Sequence, residues 1–467
     1  MQKYLKDSIF QTLSEIASEN HIKAFLIGGY VRDLLLERPS NDIDIVVEGD
    51  GIRFAELLGA KLPGKNRVTV FKRYGTAMLR YKDIEIEFVG ARKESYTPDS
   101  RKPSVKKGTL EDDQNRRDFT INALAISLNK ENFGELVDPF GGLADLKNKL
   151  IRTPLEPART FSDDPLRMMR GVRFAAQLNF DIHPHTLEGI KANAERIEIV
   201  SNERIAVELN KILESDMPSA GFRYLDESGL LELVLPEIHN LKGVEKRKGI
   251  DHKDNFYHTI QVVDNVAENS DNLWLRWAAL LHDVAKPVTK RFTGTAWTFH
   301  GHEYVGYKMV PTIFRRLRLP MTQKMEFVRE MVRLHLRPVA LVSEPISNSA
   351  VRRLLFEAGD DIDDLMTLCE ADITSKNDKK VELFKRNFKI LRQRLKEVEE
   401  SDRLRNWQPP VSGEEIMETF GIKPSKTVGI IKDAIREAIL DGEIKNDKEE
   451  ALTFMIKKGK ELGLEPE

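Results

Sequence analysis

Two carboxylates stand close together in residues 42–47 (DIDIVV), a run with the composition of a β-strand. Because side chains alternate along a strand, Asp42 and Asp44 are predicted to share one face, with Ile43 and Ile45 on the other. Two carboxylates at this spacing repel each other unless a cation lies between them. Mg²⁺ is the simplest such cation, since it takes hard oxygen ligands and leaves positions open for phosphates.

The segment before this pair contains residues suited to binding phosphates. Residues 24–27 form an apolar run typical of a buried strand, and Gly28-Gly29 can turn tightly and expose backbone N–H groups. Residues 30–37 have helical spacing and place Arg32 in the first turn. A glycine pair or a DxD strand alone is usually structural. In this order they indicate nucleotidyl transfer, in which cations hold a triphosphate and activate a hydroxyl.

A third carboxylate is available on a later predicted strand. Residues 67–71, 76–81 and 84–89 read as strands of a small mixed sheet, and Glu85 and Glu87 share one face of the last of them. Either glutamate could complete the metal site. Both could equally form the outer polar face of an edge strand.

Arginines follow in two further stretches. Residues 116–128 (RRDFTINALAISL) are predicted to begin a helix at Arg116 and Arg117, whose guanidinium groups can fork onto ribose or phosphate oxygens. The alternative is an ordinary charged helix end. Residues 91–115, which contain two prolines and no apolar period, are predicted to form a long mobile loop.

The second arginine stretch is residues 161–180 (FSDDPLRMMRGVRFAAQLNF), predicted as a helix with Pro165 in its first turn. Arg167, Arg170 and Arg173 recur every three residues and form a polar stripe with Asp164. An aspartate acceptor paired with an arginine donor can hydrogen-bond the Watson–Crick edge of a base. The alternative is a solvated stripe with an aspartate at the helix N-cap.

These motifs, in this order, resemble the polymerase-β-like nucleotidyltransferases. The GGxVRD form is similar to the class II tRNA nucleotidyltransferases (CCA-adding enzymes) and bacterial poly(A) polymerases. Their RRDxxxNA motif is matched by Arg116, Arg117, Asp118, Asn122 and Ala123. Their EDxxR motif stands here at residues 163–167 with aspartate in place of the first glutamate, and an ERxxxE match lies at residues 203–208. The resemblance is close over residues 1–240.

The resemblance implies template-independent addition of C, C and A to the 3′ end of tRNA, using CTP and ATP. Asp42 and Asp44 would bind Mg²⁺, with Glu87 matching the third position better than Glu85. The residues that would contact the nucleotide are Gly28, Gly29, Arg32, Arg116, Arg117, Asp164, Arg167, Arg170 and Arg173, with Asp164 and Arg167 reading the base. The loop at 91–115 would help the site change between CTP and ATP. A CC-only, A-only or poly(A) product remains open.

A separate set of histidines and aspartates indicates a second metal site, comprising His258, His282, Asp283, His300, His302, His335 and Asp372. His282 and Asp283 lie in a predicted helix that ends at Pro287. The order resembles the helical HD-domain phosphohydrolases, which implies that His258, His282, Asp283 and Asp372 bind Mg²⁺, Mn²⁺ or a transition metal and activate water. His300 and His302 are either loop residues or ligands of a second metal. Hydrolysis by this domain as the main activity is the alternative function.

Composition sets the remaining bounds. The chain has 467 residues, 40% hydrophobic and 32% charged, a net charge of −2 and one cysteine, Cys369, which fits a soluble protein of the reducing cytoplasm. No apolar run approaches a membrane span, and the N-terminal helix lacks a signal-peptide core. We expect an α+β fold: a nucleotidyltransferase head with a small mixed sheet (1–148), then a helical neck for base selection (149–240), an HD domain (241–375) and a helical, tRNA-binding tail (376–467).

The predicted tail has two parts. Residues 376–400 read as a basic amphipathic helix whose apolar side chains, including Leu383 and Ile390, would pack inward. Its basic face is either solvated or contacts RNA. Pro409-Pro410 marks a linker, and residues 412–441 read as two short helices near which the tRNA elbow would bind.

Overall fold

The computed structural model of the chain describes residues 1–64, 66–97, 100–246, 254–343, 346–375, 377–402 and 409–467. They form two compact units, Met1–Pro236 and Glu237–Glu467. The first unit contains a mixed sheet and helices, and the second is helical apart from one small ribbon, which confirms the α+β fold. Within these ranges, no helix combines the length and apolar character needed to cross a membrane.

The head occupies the beginning of the first unit. Its helices and strands, in chain order, are α1 (Ser8–Glu19), β1 (Lys23–Ile27), α2 (Gly29–Leu35), β2 (Asp42–Glu48), α3 (Gly51–Lys61), β3 (Val68–Phe71), β4 (Thr76–Tyr81), β5 (Ile84–Gly90), β6 (Arg92–Thr97), β7 (Ser100–Lys107), α4 (Leu110–Asn115), β8 (Ala125–Ser127), β9 (Leu136–Val137), α5 (Gly142–Lys147) and β10 (Leu150–Ile151). The predicted strands at 24–27, 42–47, 67–71, 76–81 and 84–89 are all confirmed, within one or two residues.

The main sheet has the strand order β3-β4-β5-β2-β1-β8-β9. β2 runs parallel to β5 and antiparallel to β1. Because β5 lies between β4 and β2, it is not an edge strand, and that interpretation of Glu85 and Glu87 is wrong. On one face Phe88 packs against Phe54 of α3, with ring centroids 5.9 Å apart. On the other face Val46 is buried near Leu110 of α4, so the sheet is covered there but open toward the beginning of β2.

Residues 91–115 are not a long loop, contrary to the prediction. β6 and β7 pair as an antiparallel hairpin, with Arg92 opposite Lys107, and α4 follows; residues 98–99 lie outside the described part of the chain. Charged residues occupy both strands, so no apolar alternation was available to predict them. A capping box fixes the start of α4: Thr109 Oγ1 accepts from Asp112 N at 3.3 Å, and the Asp112 carboxylate accepts from Thr109 N at 3.0 Å.

The helix predicted to begin at Arg116 is also absent. Arg116 is instead the C-cap of α4, and a 3₁₀ turn at Thr120–Asn122 and then β8 follow it. The arginine pair therefore ends a helix, where its positive charge complements the exposed carbonyl groups.

The remainder of the first unit is mainly helical. Its elements are α6 (Pro157–Asp163), α7 (Leu166–Leu178), β11 (Asp181–Ile182), α8 (Pro184–Asn193), α9 (Asn202–Leu213), α10 (Pro218–Glu227) and α11 (Leu230–Val234), and α12 (Pro236–His239) follows at the boundary between the units. The helix predicted with Pro165 in its first turn is present as α7, although Pro165 is its N-cap and the helix begins at Leu166. The Asp164 carboxylate accepts from Leu166 N at 3.1 Å. A short parallel ribbon of β10 and β11 interrupts the predicted all-helical neck.

The second unit contains α13 (Asn255–Ala267), α14 (Leu273–Leu281), α15 (Lys286–Thr289), β12 (Arg291–Phe292), β13 (Trp297–Thr298), α16 (His302–Leu317), α17 (Gln323–Leu334), α18 (Leu336–Ser343), α19 (Asn348–Ala358), α20 (Ile362–Ala371), α21 (Asp378–Asp402), α22 (Gly413–Phe420), α23 (Lys426–Asp441) and α24 (Lys448–Glu461). The helix predicted to end at Pro287 ends at Leu281. Pro287 lies in the first turn of α15, where its missing N–H is not needed.

The tail predictions are partly confirmed. The basic helix is present as α21, but only a narrow stripe of it is buried, including Phe388, Leu391 and Leu395. Leu383 and Ile390 are 47% and 49% exposed, so their predicted inward packing is wrong. Residues 412–441 form two helices as expected, although α23 is long, and with α24 they enclose an apolar cluster that includes Phe420, Ile431, Ile435 and Met455.

Candidate functional site

The acidic pair of β2 lies on one face of the sheet together with carboxylates of β5. The parallel register places Asp42 beside Glu85 and Asp44 beside Glu87. Glu85 is engaged by Arg80 at 2.8 Å, whereas Glu87 has no ion-pair partner among the described residues. Asp42, Asp44 and Glu87 therefore form a group of carboxylates at the open end of the sheet.

Asp44 is the electrostatic centre of this group. Burial raises its pKa to about 6; Arg117 opposes that effect, and the negative charges of Glu87 and Asp42 add to it. A half-buried carboxylate beside two others is an unbalanced negative site made of hard oxygen donors. The residues present thus fit a divalent cation such as Mg²⁺.

Gly28 allows a basic and an acidic side chain to meet at this site. Its φ of +81° is a backbone conformation that favours glycine. A Cβ atom at this position would lie 2.9 Å from Arg117 Nη1 and 3.0 Å from Asp44 Oδ2. Gly29, the next residue, begins α2.

Two arginines beside the glycine turn are held by the same asparagine. Arg32 donates to both oxygens of Asp33 at 2.8 Å and, through Nη1, to Asn122 Oδ1 at 2.9 Å. Arg117 donates to Asp113 at 3.1 Å and to the backbone oxygen of Asn122 at 3.3 Å. Asn122, which the sequence marks only as part of a motif, therefore fixes the guanidinium groups on both sides of Gly28.

Each of the three arginines of α7 has a protein partner, and Arg167 and Arg173 are buried. Arg167 donates to the backbone oxygen of Arg116 at 2.6 Å, and Arg170 donates to Asp118 at 2.7 Å. Arg173 lies 3.1 Å from Glu208 of α9, and both side chains are 6% exposed. The solvated-stripe interpretation is therefore wrong, because these cations link α7 to residues 116–118 and to α9.

The aromatic ring of Phe174 lies among three of these cations. The guanidinium groups of Arg173, Arg32 and Arg170 lie 4.1, 5.0 and 5.4 Å from its centroid. Burial favours the neutral form of Asp118, yet Arg170 and Asn122 outweigh it and hold the pKa of Asp118 well below its usual range. Asp118 is thus an ionised anchor for α7.

The predicted base-reading pair is arranged differently from the expectation. Arg167 lines a cavity of about 280 Å³ together with Asp163, Asn115, Arg116 and Arg159, among others. Asp164, in contrast, uses its carboxylate at the start of α7. Asp163 is therefore an acidic neighbour of Arg167 in this cavity, which Glu94 and Asp112 also line.

In the second unit, six side chains of types that can bind a metal converge. His258, His282 and Asp372 have ligand atoms within 4.8 Å of one another, and so do Asp283, His302 and His335. His258 Nε2 lies 2.9 Å from Asp372 Oδ1, and His282 Nε2 lies 3.2 Å from Asp283 Oδ2. The four residues predicted from the sequence come together, and His302 and His335 join them. His300 is exposed and belongs to neither group.

Hydrogen-bond partners outside the cluster orient its imidazoles. The Nδ1 atoms of His282, His302 and His335 lie 2.7–2.8 Å from backbone oxygens of Ala279, Phe299 and Val332, and His258 Nδ1 lies 2.8 Å from Thr374 Oγ1. A carbonyl oxygen accepts only, so Nδ1 donates in His282, His302 and His335, and in their neutral form Nε2 carries the lone pair that faces the cluster.

Two further properties of the cluster fit a bound metal. His282 Nε2 is buried and makes no well-aligned hydrogen bond in the described part of the chain, although Asp283 Oδ2 lies 3.2 Å away. Burial lowers the pKa of His335 to about 4, with the positive charge of His282 acting in the same direction, so this imidazole is neutral near pH 7. A neutral imidazole is the form that binds a metal.

Three protein families match successive parts of the chain. Residues 24–152 match the poly(A) polymerase head domain, residues 179–242 match a probable RNA- and SrmB-binding site of polymerase A, and residues 255–377 match the HD domain.

Curated relatives match over most of the chain. The A-adding tRNA nucleotidyltransferase of Deinococcus radiodurans is 33% identical over 353 residues, covering 73% of this chain and 77% of the relative. The multifunctional CCA protein of Methylococcus capsulatus is 32% identical over 370 residues, covering 75% and 81%. Two further A-adding relatives, from Aquifex aeolicus and Geobacter sulfurreducens, are longer proteins, and the matches span 35% and 26% of their lengths.

A solved structure is also similar to this chain over nearly its whole length. A CCA-adding enzyme solved in complex with ATP is 25% identical, with a TM-score of 0.63 over 96% of this chain and 94% of the other. The two candidate sites and these matches indicate the same family. The carboxylate site lies in the part of the chain that matches the poly(A) polymerase head domain, and the histidine cluster lies in the part that matches the HD domain. The chain belongs to the tRNA nucleotidyltransferase/poly(A) polymerase family, in the form that carries an HD domain.

Proposed function

We propose that this protein adds C, C and A to the 3′ end of tRNA from CTP and ATP, without a nucleic-acid template. The observation that carries the proposal is the group of Asp42, Asp44 and Glu87 on adjoining strands, next to the glycine turn at Gly28. Relatives named for CCA addition and for A addition, and a similar structure solved with ATP, support tRNA and nucleoside triphosphates as substrates.

In this proposal Asp42 and Asp44 hold Mg²⁺, with Glu87 as the third carboxylate. Bound there, Mg²⁺ supplies charge neutralisation of the triphosphate and activation of the attacking hydroxyl. The backbone at Gly28 and Gly29 binds the phosphates closely because no side chain intervenes. Asn122 keeps the guanidinium groups of Arg32 and Arg117 pre-oriented, which lowers the cost of arranging them when the triphosphate arrives.

The neck helix α7 supplies base selection. Arg167 presents guanidinium donors beside an aspartate, which is the donor–acceptor combination needed for a Watson–Crick edge. Asp164 is the partner expected from the family motif, and Asp163 is the one that shares the cavity with Arg167. Ion pairs of Arg170 with Asp118 and of Arg173 with Glu208 hold α7 in place. The backbone oxygen of Arg116 accepts a hydrogen bond from Arg167.

We assign RNA contact to residues 376–467 and retain the four-part division at 148, 240 and 375 as a proposal. The exposed basic side chains of α21, which include Lys385 and Lys389, can contact phosphates. The single cysteine is compatible with action in a reducing cytoplasm.

Sequencing the products tests this function. A tRNA lacking its last three nucleotides and one ending in CC are incubated with CTP alone, ATP alone or both. We expect CC from CTP alone, CCA from both, and A on the CC-ended tRNA from ATP alone. Addition of A only, even with CTP present, would contradict CCA addition in favour of an A-adding enzyme. A long A tract would indicate a poly(A) polymerase.

A specific observation favours a second activity in the HD domain, metal-dependent hydrolysis of phosphate esters. Asp283 Oδ2 and Asp372 Oδ1 each lie within 3.7 Å of Nε2 of both His258 and His282, and Lys286 contacts Asp283. Such a set suits a divalent metal, which would supply an activated water for attack on phosphorus.

Hydrolysis of bis(p-nitrophenyl) phosphate with Mg²⁺, Mn²⁺, Co²⁺ or Ni²⁺ tests the second activity. We expect release of p-nitrophenol from the parent and from His300→Ala, a matched control at an exposed histidine. His282→Ala and Asp283→Ala should lose it. Equal hydrolysis by all four proteins would rule out this site as the source.

A further inference from the structure

We propose that a cavity in the second unit, between α13, α20 and α21, binds a mononucleotide, with its phosphate on α21 and its nucleoside on α13. The inference deepens the proposed contact of α21 with phosphates, on which it rests, because it names the ligand that Lys385 and Lys389 hold. The site is separate from the carboxylates of the head and from the histidine–aspartate cluster.

The cavity has the size of a small-ligand site. Its volume is about 610 Å³, within the range of pockets that enclose a molecule as large as a nucleotide. Ala371 and Ile373 line it, whereas Asp372, which lies between them in the chain, turns its carboxylate to within 2.9 Å of His258 Nε2. Of the described residues that line the cavity, none belongs to the six-residue cluster.

One wall of the cavity is cationic and comes from a single face of α21. Val381, Lys385, Lys389 and Arg392 recur at the spacing of successive helical turns. Arg392 Nε donates to Glu370 of α20 at 2.6 Å. Lys385 and Lys389 make no ion pair with the residues that the structure describes. Like charges one turn apart repel each other, and a phosphate between them would relieve the repulsion and accept hydrogen bonds from both.

The opposite wall, at the end of α13, offers hydrogen-bond acceptors. Asn265 joins α13 to α20, because its Nδ2 donates to the backbone oxygen of Ala371 at 2.7 Å. Asn269 Nδ2 donates to the backbone oxygen of Asn265 at 2.7 Å, which leaves the Asn269 side-chain oxygen to accept. Glu268, beside it, has no ion-pair partner in the described part of the chain. Ribose hydroxyls and base amino groups are donors that suit these oxygens.

The charge distribution favours a mononucleotide over a nucleic-acid strand. Glu268 and Glu370 line the cavity, and Asp363 precedes Thr367, another lining residue, by one turn of α20. These carboxylates would repel the further phosphates of a strand. A single phosphate joined to an uncharged nucleoside instead meets cations on one wall and acceptors on the other. Inorganic phosphate would leave the acceptors of α13 unused.

Binding of AMP tests the proposal without relying on activity. The full chain carrying Asp42→Ala and Asp44→Ala is dialysed against labelled AMP in the presence of a chelator, so that neither candidate metal site contributes. We expect one equivalent of AMP. In this background, Lys385→Gln with Lys389→Gln should weaken AMP binding by about tenfold, because two charge-assisted hydrogen bonds are lost. The matched control is Lys380→Gln with Lys396→Gln, at two exposed lysines of α21 that do not line the cavity.

Two further measurements examine the opposite wall and the location. Glu268→Ala should weaken the binding of AMP but not that of inorganic phosphate, which carries no nucleoside. Photo-crosslinking with an azido derivative of AMP, followed by peptide mapping, should label α13, α20 or α21. Labelling confined to residues 1–236 would overturn the proposal, and this result does not depend on any cavity variant folding.

Equal binding of AMP by the two double-lysine variants would also overturn the proposal. The same holds if Lys385→Gln with Lys389→Gln weakens binding of truncated tRNA and leaves AMP binding unchanged, since the lysines would then hold an RNA strand. The measurement is made without nucleotide transfer. AMP bound at this cavity by a protein whose parent fails to add CCA would uphold the cavity and contradict the proposed function, and CCA addition by a parent whose cavity binds no AMP would do the reverse.

Discussion

The two candidate metal-binding regions of this protein are built in opposite ways. The head places oxygen donors, Asp42, Asp44 and Glu87, on adjoining strands at the open end of a sheet. The HD cluster places nitrogen donors at buried helix ends and orients them through hydrogen bonds to backbone oxygens. The first leaves unbalanced negative charge exposed to an arriving substrate. The second is assembled before any substrate binds.

The difference follows from what each site must admit. A nucleotidyl-transfer site has to accommodate a triphosphate and an RNA end, so part of its ligand set must come from the substrate. A site whose metal ligands all come from the protein needs enough ligating side chains, and burial helps to fix the orientation of those side chains. We therefore expect the head to depend on individual carboxylates and the HD domain to depend on metal for stability.

The largest expected effect tests the dependence of the head on one carboxylate. Asp44→Asn keeps the size of the side chain but removes its charge, and we expect nucleotide addition to fall by about 10³-fold. Glu87→Gln should also reduce the rate, whereas Glu85→Gln should stay close to the parent because Arg80 already engages Glu85. Steady-state incorporation of labelled CTP measures all three. A larger loss in Glu85→Gln than in Glu87→Gln would reverse the assignment of the third carboxylate.

A second change tests the close approach at the glycine turn. Gly28→Ala places a methyl group against Arg117 and Asp44, and a displacement of this kind near a reacting centre costs about 10²-fold in rate. Gly141→Ala is the matched control, since Gly141 also has a positive φ, +72°, but a Cβ atom there would meet nothing within 4 Å among the described residues. Gly141→Ala should lose about 1 kcal/mol of stability, because Gly141 has left-handed helical angles. Gly28→Ala should lose more, because a φ of +81° with a ψ of −144° lies outside that region and the added methyl group is crowded. Equal rates of addition in the two variants would contradict a crowded site at Gly28.

A third prediction concerns metal and stability in the HD domain. Mn²⁺ at a hundred times its dissociation constant should raise the free energy of unfolding by about 2.7 kcal/mol, because it binds only the folded cluster. Thermal unfolding with Mn²⁺ and with chelator measures the difference. His282→Ala should remove it, and Asp44→Asn should retain it. If the stabilisation by Mn²⁺ disappeared in Asp44→Asn, Mn²⁺ would be stabilising the protein through the head and not through the cluster.

The smallest expected effect is a shift in pH dependence. Because the pKa of Asp44 is raised to about 6, its carboxyl gains a proton as the pH falls through that value and then binds cations poorly. At limiting Mg²⁺, addition should therefore decline below about pH 6. Glu87→Gln removes a neighbouring negative charge, lowers the pKa of Asp44 and should move this decline to lower pH. An unchanged pH profile in Glu87→Gln would contradict this account, because it would mean that the charge of Glu87 does not influence the protonation of Asp44.

The sequence predicted the placement of the acidic pair in the head because strand periodicity is local. Alternation alone placed Asp42 and Asp44 on one face, and the proline at 165 marked the start of α7. Spacing and family resemblance also identified His258, His282, Asp283 and Asp372 as a group. These features depend on residues near one another in the chain or on a known motif.

Other features depend on tertiary contacts and could not be predicted in this way. The hairpin of β6 and β7 has charged residues on both strands, so it lacks the alternation of apolar and polar side chains by which a strand is predicted. The burial of Arg173 follows from Glu208, which lies on another helix. His302 and His335 meet only because α16 packs against α17, and neither residue's neighbours in the sequence indicate the other.

The most direct test of the central claim is addition of CTP to truncated tRNA by the full chain carrying Asp42→Ala and Asp44→Ala. A single-turnover assay with enzyme in excess over labelled tRNA detects even slow transfer. The account predicts no extended product, while the same preparation still hydrolyses bis(p-nitrophenyl) phosphate and so serves as its own folding control. Extension at the rate of the parent would contradict the assignment of these carboxylates as the centre of nucleotidyl transfer.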